Sequence, residues 1–367
     1  MEKILYIGRF ELPDLEATAN RVVSNAKLLR DIGHEVLLAG WSEKGPSQFS
    51  WVEENYYNFQ CYTKKKALTK FEKFVMLCDP RPELELIRSK NISTVIAYDF
   101  PAIALLFILI FCKINKIQII GDVSEWYSNT NPNPLIRIVR GFDSFLRMRI
   151  LHKCMDGLIV ISSLLQKYYS NTKTVLLPPL VDIEDSKWNI TKETNFEEMK
   201  FIYAGFPSKA KERLDILVDY FSDNDNASLE IYGITEEEFR IMYQYGKKIK
   251  KVRFRGRCSH QIILNEVKNA CYSLIIRESN LKNNAGFPSK FVESLSLGTP
   301  VITTDISDIS KYITENSNGY IVDISQIRDQ LDSIIKLRKT LSVDRKIFDY
   351  RNYKSELEGF LDAIPDK

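Results

Sequence analysis

The sequence has few of the residues on which metal centres, disulfide scaffolds and membrane spans depend. It contains three histidines and six cysteines among 367 residues, and no two cysteines have a Cys-x-x-Cys spacing. This pattern argues against a disulfide framework and a histidine-based metal site, and it favours reduced thiols that pack as small apolar groups. The most apolar segment, residues 101–112, is about 12 residues long, whereas a bilayer span needs roughly 20, so we predict a buried helix there.

A targeting leader and a strong charge of one sign are also lacking. Met1-Glu2-Lys3 is followed directly by a short apolar run, without the basic leader, longer apolar region and cleavage site of a secretory signal, which predicts a cytoplasmic protein. The net charge of +3 is too small to indicate a nucleic-acid partner. Hydrophobic residues make up 44% and charged residues 27% of the chain, a balance typical of folded domains.

Short apolar runs alternate with helical patterns along the whole chain, whose length suits two domains better than one. The strands lack clean polar alternation, which indicates parallel sheets covered on both faces. We therefore predict two doubly wound, Rossmann-like α/β domains that face each other across a cleft. The predicted boundaries are residues 1–180, residues 181–345, and a final helix within residues 346–367 that packs back toward the N-terminal domain.

The individual elements follow from apolar periodicity and from Gly and Pro punctuation. A helix over residues 18–32 is expected to end at Gly33, and a polar linker over residues 182–198 follows Pro178-Pro179. Strands are predicted at residues 4–7, 36–39, 94–97, 118–120, 158–161, 174–177, 201–204, 228–232, 252–254, 274–276, 301–303 and 320–322. Further helices are predicted at residues 214–221, 262–270, 290–297, 324–337 and 353–364.

The loop after the first strand has only Gly8, so the G-x-G-x-x-G pattern of a dinucleotide site is missing. A helix opens near Asn20 and Arg21, and its N-terminus would favour a phosphate or a sugar hydroxyl. An ordinary connecting loop is the alternative interpretation.

Carboxylates and aromatic residues follow the predicted strand at residues 118–120. Asp122, Glu125, Trp126 and Tyr127 combine groups that bind sugars, because aromatic rings pack against C–H groups and carboxylates accept hydrogen bonds from hydroxyl groups. A capped helix start with a core tryptophan is the alternative.

A basic loop follows the strand that ends at Ala204. It contains Gly205, Lys209 and Lys211, and lysines at a helix start would hold a diphosphate by their charge. A solvated basic loop is the alternative.

The stretch of residues 277–302 is the richest in candidate chemistry. It reads as strand, polar loop, helix, Gly-Thr-Pro turn and strand, with Pro288 near the helix start and Gly298 after its end. Backbone N–H groups at Ser289, Lys290 and Phe291 are expected to be free to face an anion.

This stretch resembles the donor-site signature of retaining family-4 glycosyltransferases, E-x-F-G-x-x-x-x-E followed by a small-Gly-x-Pro-Val turn. The residues that match are Gly286-Phe287-Pro288-Ser289-Lys290, Glu293 and Gly298-Thr299-Pro300-Val301. The stretch is especially similar to the bacterial capsule and surface-polysaccharide branch of that family. The resemblance implies the GT-B fold, with a nucleotide-sugar donor in the C-terminal domain and an acceptor in the N-terminal domain.

The resemblance also implies roles for individual residues. Glu293 would bind the ribose hydroxyls, and the helix start would bind the diphosphate. The expected donor-site residues are Gly205, Lys209, Gly233, Arg257, Asn284, Gly286, Phe287, Ser289, Lys290, Phe291 and Glu293. The expected catalytic residues are Asp122, Glu125, Lys211 and Arg277, and the expected acceptor-binding residues are Asn20, Arg21 and Trp126.

Two residues of the family's pattern are absent. Ala285 stands where the first glutamate is expected, so either Asn283, Asn284 or the backbone serves the donor sugar, or the donor differs. The histidine that often follows a strand of the N-terminal domain is also missing, and Asp122 or Glu125 occupies that region.

The implied reaction moves a hexosyl group from a UDP-linked sugar to an acceptor hydroxyl with retention of configuration, without a metal or other cofactor. The expected acceptor is a lipid-linked or growing surface polysaccharide. Residues 133–153 form a basic, apolar helical pattern that would rest on anionic lipid at the inner face of the plasma membrane, or be buried with snorkelling arginines. A nucleotide-sugar epimerase of the same fold and a non-catalytic partner subunit remain alternative functions.

Overall fold

The computed structural model describes residues 2–13, 17–43, 45, 47, 49–67, 69, 72, 78–127, 133–192, 199–209 and 211–365. The chain divides into two compact units. Unit 1 comprises Met1–Val181 and Tyr350–Lys367, and unit 2 comprises Asp182–Asp349. Part of the predicted linker, residues 193–198, lies outside the described residues.

Unit 1 is built on a sheet in which the described strands run β3-β4-β2-β1-β5-β6-β7-β8. All neighbours pair in parallel except β3 and β4, which form an antiparallel hairpin at one edge. The strands are β1 (Lys3–Glu11), β2 (Glu35–Ser42), β3 (Val52–Tyr56), β4 (Phe59–Lys65), β5 (Thr94–Tyr98), β6 (Gln118–Val123), β7 (Gly157–Val160) and β8 (Thr174–Leu176).

Helices cover this sheet and connect its parallel strands. They are α1 (Ala17–Asp31), α2 (Arg81–Ser89), α3 (Ala102–Ile114), α4 (Pro134–Leu146), which continues into a π-helical turn at Arg147–Leu151, and α5 (Ser163–Tyr168). The end of α1 confirms the predicted cap, because Gly33 has a φ of 98° and its N–H donates to Arg30 O over 3.0 Å.

The C-terminal helix, Lys354–Ala363, belongs to unit 1. Leu357, Phe360 and Ile364 are buried in the same apolar cluster as residues of β1 and α1. The Tyr350 hydroxyl also donates to Asp31 Oδ2 over 3.2 Å. The last residues of the chain therefore complete the core of the N-terminal unit.

Unit 2 contains a second sheet with the strand order β11-β10-β9-β12-β13-β14, parallel throughout. Its strands are β9 (Met199–Ala204), β10 (Ala227–Tyr232), β11 (Val252–Gly256), β12 (Tyr272–Ile275), β13 (Val301–Thr303) and β14 (Gly319–Ile321). Its helices are α6 (Leu214–Asp223), α7 (Glu236–Tyr243), α8 (His260–Lys268), α9 (Leu281–Ala285), α10 (Ser289–Leu297) and α11 (Ile327–Leu337). Two parallel-sheet α/β units confirm the predicted fold class.

One prediction about the core is wrong. Residues 101–112 were expected to form a buried helix, but α3 buries only one face. Ile103, Phe107, Ile110 and Ile114 are exposed on its other face. The helix is apolar on all sides, so periodicity could not distinguish its inner face from its outer face.

Candidate functional site

The carboxyl ends of adjacent strands in unit 2 bring together residues that are distant in sequence. Gly205 follows β9, Gly233 follows β10, Arg257 follows β11, and Arg277 lies just beyond β12. These four strands are neighbours in the sheet order, so their carboxyl ends lie along one edge. Ligands of open parallel sheets bind at this kind of edge.

Two glycines allow the backbone at this edge to pack closely. Gly205 and Gly233 have φ values of 112° and 101°, which favour glycine. A Cβ on Gly233 would lie 2.4 Å from the carbonyl carbon of Gly205, and a Cβ on Gly205 would lie 2.7 Å from Lys290 Cε. The absence of a side chain at Gly205 lets the lysine cross the end of β9, and its absence at Gly233 lets the two loop backbones approach each other.

Lys290 places its ammonium group over the end of β9. Its Nζ donates to the Tyr203 hydroxyl over 2.7 Å and lies 3.8 Å from Glu212 Oε1. The lysine side chain is only 17% exposed. Burial is the main reason that the Lys290 pKa falls to about 8, although the charge of Glu212 acts in the opposite direction. The amine is thus mostly charged at neutral pH.

Glu212 links the cations of this edge, a role that sequence reasoning missed. Its Oε1 accepts a 2.6 Å hydrogen bond from Arg277 Nη2, and its Oε2 accepts a 2.8 Å bond from the Ser208 N–H. Burial alone would raise the Glu212 pKa. The charges of Lys290 and Arg277 and the Ser208 N–H outweigh that effect, so the pKa is lowered and the carboxylate stays charged.

The basic loop after β9 presents two further lysines with different environments. Lys209 is exposed and Lys211 is half-buried. The Lys211 N–H donates to Ser208 O over 2.7 Å, and the Lys211 carbonyl accepts a 3.3 Å bond from Asn283 Nδ2. The loop backbone is therefore held in place beside the helix that precedes the donor signature.

The start of α10 offers two backbone donors rather than three. Within the part of the chain that the structure describes, the N–H groups of Ser289 and Lys290 have no acceptor, as expected for the first turn of a helix. The Phe291 N–H instead donates to Pro288 O over 3.0 Å. The prediction of a free N–H at Phe291 is wrong, because the first turn closes on itself.

Phe287 and Phe291 anchor this loop and helix from inside. Their ring centroids lie 6.0 Å apart, and both contact the ring of Phe348, at 6.0 and 5.8 Å. Tyr312 packs 4.8 Å from Phe348 in the same cluster. These aromatic contacts in the core of unit 2 fix the position of the start of α10.

Asn284 and Gly286 join the polar loop to the segment that follows β13. Asn284 Nδ2 donates to Ser279 Oγ over 2.9 Å, and Asn284 Oδ1 accepts the Ser307 N–H over 3.1 Å. The Ser307 hydroxyl donates to Gly286 O over 2.5 Å. Both groups of the Asn284 amide are engaged in fixing the loop.

Glu293 lies one turn into α10 and remains partly accessible. Its side chain is 24% exposed, and its Oε1 lies 3.3 Å from His260 Nε2 at the start of α8. Arg257 is more exposed, at 72%, and pairs with Glu238 over 3.3 Å. The Arg257 guanidinium also lies 5.3 Å from the centre of the Phe206 ring.

In unit 1, the structure corrects two predictions by pairing Arg21 with Asp122 in the interior. Arg21 Nη2 lies 2.7 Å from Asp122 Oδ1, and its Nη1 donates to Leu177 O over 3.0 Å. The Tyr6 hydroxyl and Asn25 Nδ2 donate to Asp122 Oδ2. Both charged side chains are at most 3% exposed. Asp122 is therefore not available for catalysis, nor Arg21 for contact with an acceptor.

The other predicted residues of unit 1 lie nearer the surface. Glu125 is exposed, and Asn20 and Trp126 are half-buried. The Trp126 ring meets the edge of the Tyr168 ring at 4.9 Å between centroids. Their placement is compatible with a ligand contact, which remains a prediction.

The sequence of unit 2 matches the model of a known protein family. Residues 186–354 match the family model described as Glycosyl transferases group 1. A search of the curated proteins finds no match.

Solved structures share the fold over almost the whole chain. Sucrose-phosphate synthase from Thermosynechococcus elongatus has a TM-score of 0.69 and 14% identity, with 99% of this chain and 98% of that chain covered. The Anabaena protein HepE in complex with UDP has a TM-score of 0.65 and 13% identity, with 99% and 100% covered. The catalytic domain of starch synthase IV from Arabidopsis thaliana, bound to ADP and acarbose, has a TM-score of 0.69 and 9% identity, with 98% and 99% covered. At these identities the likeness shows the fold.

Proposed function

We propose that the protein transfers a hexosyl group from a nucleoside diphosphate sugar to an acceptor hydroxyl, because residues 186–354 match the glycosyl transferases group 1 model and the chain has the GT-B fold. Unit 2 binds the donor in this proposal, and unit 1 binds the acceptor. The UDP in the HepE complex, also solved with UDP-glucose, supports a UDP-linked donor.

The cationic edge of the unit 2 sheet is the observation that carries this proposal. Lys290 and Arg277 converge on Glu212, and the two open N–H groups belong to Ser289 and Lys290 in the first turn of α10. Two cations share one carboxylate there, so the cluster keeps a positive charge for a diphosphate to meet. A helix N-terminus adds its dipole to that charge.

The remaining donor contacts follow from the positions of the side chains. The partly exposed carboxylate of Glu293 binds the ribose hydroxyls, since ionised carboxylates form strong bonds with hydroxyl donors. Gly233 and Arg257 border the base. Lys211, with Lys209, supplies further charge to the diphosphate.

The chemistry required of the protein is stabilisation of the departing diphosphate. Charge grows on the phosphate oxygens as the bond to the sugar breaks, and fixed cations and N–H groups aimed at those oxygens lower the barrier. The positive charges of Lys211, Arg277 and Lys290 can stabilise the departing diphosphate without a metal ion. We further propose that the acceptor attacks the same face of the sugar, which retains the anomeric configuration.

The acceptor is proposed to be a lipid-linked or growing saccharide of a bacterial capsule or other surface polysaccharide. Glu125, Asn20 and Trp126 are the candidates for contact with it in unit 1. A lipid-linked acceptor stays at the membrane, so the enzyme would act in the cytoplasm at the inner face of the plasma membrane. Among the described residues, no helix is both long and apolar enough to cross a bilayer.

Titration of UDP by calorimetry tests the donor site. Glu293→Ala is expected to weaken UDP binding by about tenfold to a hundredfold, the cost of losing one or two charge-assisted hydrogen bonds. Glu358→Ala, at an exposed position of the C-terminal helix, is the matched control and should bind like the parent. Equal affinities for all three proteins would refute the assignment.

A transfer assay tests the reaction itself. UDP-hexoses are incubated with a lipid-linked saccharide acceptor, with and without chelator, and the product linkage is read by NMR. Transfer with retained configuration that survives the chelator is expected. An inverted product, loss of activity restored by manganese, or an epimerised donor without transfer would each contradict the corresponding part of the proposal.

A further inference from the structure

The outer face of α3 consists of large apolar side chains. Ile103, Phe107, Ile110 and Ile114 follow one another at helical spacing, and all four are exposed, Ile114 by 75%. A helix of a folded domain normally turns charged or polar residues toward water. An exposed apolar face of this size marks an interaction surface.

The neighbouring helix α4 has the same character. Ile138, Phe142 and Phe145 lie at i, i+4 and i+7 and are 67%, 59% and 57% exposed, and Val139 between them is 53% exposed. The π-helical turn that follows adds the exposed Ile150. Burial with snorkelling arginines, the alternative drawn from sequence, therefore does not describe this helix.

The two helices are fastened to each other. Asp143 of α4 accepts the Ala102 N–H at the start of α3 over 2.8 Å, and its other oxygen accepts Arg147 Nη2 over 2.9 Å. Arg147 Nη1 donates in turn to Asp99 Oδ1, just before α3, over 2.5 Å. These hydrogen bonds hold α3 and α4 next to each other in unit 1.

The charged residues within these two helical segments are almost all positive. Asp143 is the only acidic residue within residues 102–116 and 133–153, and it is engaged as described above. The exposed basic residues are Lys113, Lys116, Arg137, Arg140, Arg149 and Lys153. Of these, Lys113 pairs with Asp156 over 2.6 Å, so its charge is not available to the headgroups. Apolar side chains bordered by basic ones match a bilayer surface with anionic headgroups, because the chains enter the interface while the cations meet the headgroups.

We propose that α3 and α4 together form the surface by which this protein docks on an anionic lipid bilayer. A second copy of the chain would place these cations opposite one another, which disfavours self-association at low salt. The inference deepens the proposed function, since it names the surface that would bring the enzyme to a lipid-linked acceptor. The measurement of docking needs neither donor nor acceptor.

Co-sedimentation with vesicles tests the surface. The parent is expected to bind vesicles of equal parts phosphatidylcholine and phosphatidylglycerol, and to bind phosphatidylcholine alone much more weakly. Ile110→Ser on α3 and Phe142→Ser on α4 should each reduce binding severalfold, and the double variant by about tenfold or more. Ile241→Ser, which alters a side chain of unit 2 that is 72% exposed, is the matched control and should bind like the parent.

A charge variant separates the two contributions. Arg140→Gln should weaken binding to the anionic vesicles about fivefold and change binding to phosphatidylcholine little. The circular dichroism spectrum and the UDP affinity of every variant should match those of the parent. A loss of vesicle binding can then be assigned to the docking surface and not to the fold or the donor site.

Several results would overturn the proposal. One is equal binding of the parent to both kinds of vesicle, and another is equal binding of the parent and the Ile110→Ser, Phe142→Ser double variant. An effect from only one helix would remove the other from the surface. A concentration-dependent dimer that the double variant abolishes, without vesicle binding by the parent, would assign these faces to a second copy.

Discussion

The titration of Lys290 should make UDP binding depend on pH in the mildly alkaline range. Burial lowers the pKa of this amine to about 8, and a lysine is charged only below its pKa. At pH 7 roughly nine-tenths of the amines carry a charge, and at pH 9 about one-tenth do. If the diphosphate binds the charged form, affinity should fall about tenfold between these values, or about 1.4 kcal/mol.

Calorimetry with UDP at pH 7, 8 and 9 measures this decrease. Lys290→Met is the control for the ligand's own titration, and its affinity should be lower at pH 7 and should vary with pH only as the ligand does. Lys290→Arg keeps its charge throughout this range and should flatten the profile, although the guanidinium must fit against Gly205. The reasoning fails if the parent and Lys290→Met show the same dependence on pH.

Three further perturbations test interactions within each unit. Glu212→Gln removes the carboxylate that raises the Lys290 pKa, so the midpoint of the pH dependence of UDP binding should move below pH 8, and an unmoved midpoint would contradict the coupling. Urea unfolding of this variant should also show a free energy of unfolding that is lower by about 3–5 kcal/mol. Asp122→Asn leaves its arginine partner buried without a counter-charge and should cost about 3–5 kcal/mol in the same assay, whereas a change near zero would show that the pair is dispensable. Gly205→Ala, at a φ of 112° and with Cβ 2.7 Å from Lys290 Cε, should cost about 1–3 kcal/mol and weaken UDP binding, while Gly246→Ala, whose Cβ would meet no atom within 4 Å, should do neither.

The described strands other than β3 and β4 were predictable because each is a short apolar run between helical patterns. The run at residues 94–97, for example, lies within β5 (Thr94–Tyr98). The hairpin of β3 and β4 was missed. Its turn residues, Tyr57 and Asn58, have positive φ values of 55° and 59°, although neither is a glycine. Strand β3 is also mostly polar and exposed. Neither the turn chemistry nor the periodicity indicated a strand there.

The candidate donor site was predictable where its residues are contiguous in sequence, as from Gly286 to Glu293. The partners of Glu212 and Asp122 were not predictable, because Glu212 meets Arg277 across 65 positions and Asp122 meets Arg21 across 101. Pairing over such separations is decided by sheet order. The local sequence around a carboxylate near a buried strand is therefore the same whether the carboxylate faces a ligand or a buried arginine.

The missing glutamate of the donor signature narrows which side chain can meet the sugar. Ala285 is completely buried, so this position does not open toward a ligand, and both groups of the Asn284 amide brace the loop. Asn283 differs, because its Nδ2 donates to Glu278 O over 2.8 Å while its buried Oδ1 has no donor among the described residues. A buried acceptor without a donor is costly, but Asn283 is only 3% exposed, so its side chain is as closed to a donor sugar as Ala285. The backbone of the loop is therefore the remaining candidate to take the place of the glutamate, which stays a prediction.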